Sequence, residues 1–228
     1  MPGLFFLIFA ALVVVFIFAA IHSHKREKER TAKLAAWAHA SGMSFRPGQN
    51  SSFRDQFPLA SFQQGDGGRY AYNISHGERG GMQMIAGDYH YYTESTDSDG
   101  DTSTTHHHFS FALMRPDFRL RNLTIRKEGI FDKLGAAFGF DDIDFESAEF
   151  SKRFHVKSDD RRWAYDVIHP RTMEFLMQEP GMRLECIPGA LVVYTGKRWT
   201  VPQFEHYASR ATTFLDGIPE HAREGKPG

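Results

Sequence analysis

Asp88, His90, His106 and His108 carry the strongest metal-ligating chemistry in the sequence. His106, His107 and His108 are consecutive. On a strand the first and third share a face and the second points away. The polar run Glu94–Thr104 reads as a hairpin loop, which sets His90 opposite the triplet and brings Asp88 beside it. Imidazole pairs with a carboxylate are zinc ligands by type. No zinc-motif spacing is met, and a register slip of one residue would scatter the set. A polar hairpin end with cross-strand pairs is therefore the competing reading, and no cofactor is expected.

The remaining reactive groups point to less. Asp97-Ser98-Asp99-Gly100-Asp101 starts like a calcium loop, but Thr102 and His108 stand where that loop needs glycine and glutamate. Asp141, Asp142, Asp144, Glu146 and Glu149 could do acid–base work. Their alternation with Ile143 and Phe145 reads better as the solvated face of a strand. Cys186, the single cysteine, sits in a predicted strand as an inert buried thiol. The sequence has no G-x-S-x-G, H-E-x-x-H or P-loop, and Gly65–Gly68 lacks the context of a dinucleotide loop. No catalytic residue can be named.

The elements that must position these groups follow from patterning. Leu4–Ile21 is free of polar side chains, and Lys25, Arg26, Lys28, Arg30 and Lys33 come after it. This predicts an uncleaved transmembrane anchor over 1–24. The trailing positive charge puts the N-terminus outside and residues 23–228 in the cytoplasm, with the bilayer as a partner through 4–21. A helix over 25–43 follows, with Leu34 and Trp37 at helical spacing. A β-rich subdomain over 44–128 holds four strands in an antiparallel meander, ending with Phe118–Arg126. An α+β subdomain over 129–220 starts with a helix Gly129–Phe140, and 221–228 is a tail. The fold class is α+β: an N-terminal transmembrane helix, then an antiparallel-sheet domain with packed helices. The formal net charge of −1 argues against a nucleic-acid partner.

The order of these stretches carries a resemblance. A span leads into a basic helix, then TTHHHFSFALMRP, then FGFDDIDFESAEFSKRFHV, then RRWAYDVIHPRTMEFLM. This resembles a group of bacterial single-span membrane proteins of unknown function. The likeness implies the layout of anchor plus domain and no catalytic residues. The leading functional expectation is a non-enzymatic domain that binds a protein partner, such as a membrane protein, or a membrane surface. The alternative is a tethered hydrolase or metal-binding enzyme using the His-rich hairpin. The oligomeric state is not legible.

Overall fold

No glycine or proline interrupts the sequence from Leu4 to Ser41, so nothing breaks the first helix until Gly42. In the computed structural model, which describes residues 2–127 and 142–223 and side chains at residue 9 and from residue 11 onward, that helix is continuous. This α1, Pro2–Ala40, has 39 residues and so is ~58 Å long at ~1.5 Å per residue. Gly42 ends it at φ 70°, a left-handed conformation that suits glycine.

The single-pass topology does not stand. Among the described residues no helix is long and apolar enough to cross a membrane. The expectation of an outside N-terminus with a cytoplasmic domain falls with it. Phe9, Leu12, Phe16 and Phe18 are exposed on this helix, Phe16 at 79 %.

The rest is α+β. Eight strands form one antiparallel sheet: β1 Ser44–Arg46, β2 Gly67–Arg79, β3 Met82–Thr96, β4 Thr102–Arg115, β5 Leu123–Lys127, β6 Phe154–Ser158, β7 Arg183–Ile187 and β8 Ala190–Tyr194. Their spatial order is β1-β2-β3-β4-β8-β7-β5-β6. The expected meander is therefore interrupted. The fourth strand begins at Leu123 rather than Phe118 and pairs with β6 and β7, and β8 takes the place beside β4. The expected subdomains 44–128 and 129–220 share this sheet. No strand forms at Ile143 and Phe145. Asp142 makes an isolated bridge to Lys157, and Ser147 then caps a short helix, α3, Ala148–Arg153. The expected helix Gly129–Phe140 and Asp141 lie outside the described residues.

The centre of β3 and β4 is buried on both faces, because each face carries a layer. On one side α2 (Phe53–Gln56) and the turn Ala60–Phe62 bring Phe53, Leu59 and Phe62 against Tyr89, Phe109 and Phe111. On the other, α1 and the closing helix cover Met84, Ala86, Ala112 and Met114. The helices α4 (Arg161–Val167) and α5 (Pro170–Met177) extend this second layer, and the closing helix is α6, Val201–Asp216. Thr200 and Gln203 form a capping box at the start of α6. Trp37 of α1 stacks on Phe204 of α6 at 5.2 Å and donates its indole N–H to Glu205 Oε1 at 2.6 Å.

Candidate functional site

The β3–β4 register sets Asp88 opposite Ser110, His90 opposite His108 and Tyr92 opposite His106. β2 adds Tyr72 opposite Asp88 and Tyr70 opposite His90. These side chains share the face that looks toward α1. The expected opposition of His90 to the triplet thus appears in the fold, with His107 on the other side against Tyr91, centroids 4.7 Å apart.

The four candidates part company in their chemistry. Asp88 is buried and fully engaged. Arg30 of α1 donates Nε–H to Oδ2 at 2.9 Å and a terminal N–H to Oδ1 at 2.6 Å. Ser110 Oγ–H donates to Oδ1 at 2.6 Å, and Asn73 Nδ2–H donates to Oδ2 at 3.2 Å. The remaining Arg30 terminal nitrogen donates to the Trp199 carbonyl at 2.7 Å. Asp88 therefore locks α1 to the sheet. Asn73 holds φ 50° at an irregularity in β2, and its Oδ1 accepts from Thr31 of α1. Gly87 faces this irregularity, where a side chain would meet the Tyr72 carbonyl.

The histidines form a hydrogen-bonded plate further along the hairpin. His90 Nδ1 lies 2.6 Å from the Gly68 carbonyl, which can only accept, so the proton sits on Nδ1. Nε2 of His90 is then the acceptor for His106 Nδ1–H at 2.9 Å. Tyr72 Oη accepts from Arg198 at 3.3 Å and donates to His108 Nδ1 at 3.0 Å. The Nε2 lone pair of His90 and the Nδ1 lone pair of His108 are thus spent on neighbours. Among the described residues no group of three or more His, Cys, Asp or Glu is arranged to hold a metal ion.

Burial, then His90 and Arg198, push the His108 imidazole down to about 4, with Glu27 and Asp88 opposing. Burial also lowers His90 and pushes the Tyr72 phenol up to about 12. In the unfolded chain a histidine titrates near ~6.5. Between these values the unfolded state binds more protons, so stability falls as pH drops from ~6.5 toward about 4 and levels below that. His108→Gln is expected to flatten this part of the stability profile in urea unfolding. An unchanged profile would assign the loss to other groups.

Other candidates are structural. Burial raises the Cys186 thiol, so it holds its proton. Glu185 beside it is buried, accepting from Tyr194 Oη at 2.6 Å and from the Ser61 N–H at 3.0 Å. Asp97 Oδ1 accepts the N–H groups of Asp99 and Asp101 at 3.0 and 2.9 Å, which closes the hairpin turn. The acidic stretch disperses: Asp142 pairs with His155 at 2.7 Å and Glu149 with Arg153 at 2.8 Å.

Two features of this region had no clear sequence signal. The first is the outer edge of β4. β8 pairs with Phe111–Met114 only, and Ser110 N–H reaches the Lys197 carbonyl. Residues of the same parity as Ser110 turn their backbone groups outward. Among the described residues the outward groups of Thr104, His106 and His108 have no backbone partner. The second is a cleft of about 490 Å³ between α1 and the start of α6.

No protein-family profile and no curated protein matches the chain. Among solved structures the crystal structure of the mycobacterial trehalose monomycolate transport factor A, TtfA, is similar. The TM-score is 0.60 at 10 % identity, with 83 % of this chain and 96 % of that chain covered. The two chains share a fold. The match spans most of this chain.

Proposed function

We propose that the chain is a non-enzymatic, transport-associated binding domain whose partner is a protein segment added as a strand to β4. The observation that carries the strand mode is the free outer edge at Thr104, His106 and His108. An unpaired edge is a template for an extended peptide, in which main-chain hydrogen bonds supply affinity. On the sheet face next to this edge, the half-buried Tyr72 reaches His108 and the half-buried Tyr92 packs on His106; tyrosine is a residue type that concentrates binding energy at interfaces. The transport association rests on the likeness to TtfA, named as a transport factor.

Charge narrows the partner. From Gln83 to Met114 there is no Lys or Arg, whereas Glu94, Asp97, Asp99 and Asp101 crowd the hairpin tip. The incoming strand is therefore basic at the end that meets this tip. A binding role also fits the chemistry of the buried groups, since Asp88, Glu185 and Cys186 are enclosed and engaged in the fold.

A photo-reactive residue at position 102, compared with one at exposed position 171, tests this in cells. Position 102 is expected to capture a discrete protein through a basic extended segment. Thr104→Pro removes an outward N–H while sparing the β3 ladder, and is expected to abolish capture with little change in Tm. Equal capture at position 171, or capture that survives Thr104→Pro, would overturn strand addition.

A further inference from the structure

The geometry points to an anion site in the cleft between α1 and α6, built for the phosphate group of a small molecule. One wall is a single face of α1, Arg26, Glu29, Arg30, Lys33 and Leu34. The other is Arg198, Trp199, Thr200, Val201 and Pro202, where α6 begins. A volume of about 490 Å³ lies within the range of small-molecule pockets, ~300–1,000 Å³.

The charges divide into two sets. Arg30 is consumed by Asp88 and the Trp199 carbonyl, and Arg198 by Glu27 at 2.5 Å and by Tyr72. Each guanidinium is paired with a carboxylate, so these two groups make a fixed floor that is close to neutral. Arg26 and Lys33 are exposed and have no partner among the described residues. They lie two helical turns apart, ~10.5 Å along α1, at opposite ends of the cleft. Glu29, between them, is the one carboxylate in the lining. Leu34, Trp199, Val201 and Pro202 supply an apolar side, which fits a ligand that is anionic at one part only.

The first turn of α6 adds to this field. Its capping box satisfies the Thr200 and Gln203 backbone N–H groups, and Pro202 has none. The Val201 N–H is left without a partner among the described residues. The positive end of a 16-residue helix opens at the wall of the cleft. Two exposed cations and this helix end together suit an anion better than a neutral polar group. Phosphate is favoured because guanidinium and backbone N–H groups both match its oxygens.

Calorimetric titration of the full chain with inorganic pyrophosphate tests the site. One saturable event is expected, weakening as salt screens the exposed pair. Arg26→Gln with Lys33→Gln should weaken binding at least ~10-fold, a loss of about 1.4 kcal/mol, with Tm unchanged because neither residue has a partner among the described residues. Glu29→Gln should strengthen it by removing the opposing charge. Exposed Lys152→Gln with Arg171→Gln should leave it unaltered. No saturable heat, an equal loss in the Lys152/Arg171 pair, or weaker binding by Glu29→Gln would overturn the site. Loss of pyrophosphate binding with Thr104→Pro capture behaviour unchanged separates this site from the strand-binding edge.

Discussion

Asp88→Ala is expected to destabilise the domain by about 3–5 kcal/mol, the range for removing one partner of a buried ion pair. Its carboxylate is fully buried, and the Arg30 side chain opposite is 16 % exposed. Truncation strands the guanidinium under α1 and also leaves Ser110 Oγ and Asn73 Nδ2 without their acceptor. Typical domains hold only ~5–15 kcal/mol in total. Urea unfolding should therefore show a large fall in midpoint. The pair as such is not expected to be worth that amount, because desolvating both charges offsets much of their attraction. Arg30→Met combined with Asp88→Leu should recover much of the loss. If the double variant is as unstable as Asp88→Ala, the network's worth lies in its hydrogen bonds to Ser110 and Asn73.

Phe62→Ala should cost a similar ~3–5 kcal/mol by a different route. Phe62 is 0 % exposed and sits among Phe53, Tyr89, Phe109 and Phe111, with centroids 4.8–6.3 Å away. These rings come from different elements, so none can close the void without shifting a strand. Phe62 also positions its own carbonyl, which accepts the buried Tyr89 hydroxyl at 2.7 Å. Phe62→Leu keeps most of the volume and should lose far less. Comparable losses for Ala and Leu would mean that ring geometry, rather than filled space, holds this layer together.

The sequence made part of this layout visible. Phe109, Phe111 and Leu113 alternate along β4 with the period of a strand, and Pro188-Gly189 marks the turn between β7 and β8. Local patterns could not reveal that β8 inserts beside β4, because pairing across about 80 residues leaves no short-range mark. The Ile143–Phe145 alternation misled because two buried side chains on an irregular segment produce the same period as a strand. The histidine face was legible from period two alone. Arg30 was not, because it stood in a basic run read for its charge. Its spacing to Leu34, Trp37 and Ala38 puts it on the buried stripe, and a cation there called for an inward carboxylate such as Asp88.

The contact between α1 and α6 joins the beginning of the chain to its end, and this dictates when the domain can complete itself. During synthesis the first helix emerges without Trp199, Phe204 or Glu205, the groups that receive Arg30 and Trp37. The β8-facing edge of β4 at Phe111–Met114 likewise waits for Leu191–Tyr194. The nascent N-terminal half therefore carries an apolar helix face and an open strand until the final quarter of the chain appears. Folding is expected to be late and all at once, and a chain cut before α6 to be prone to aggregation.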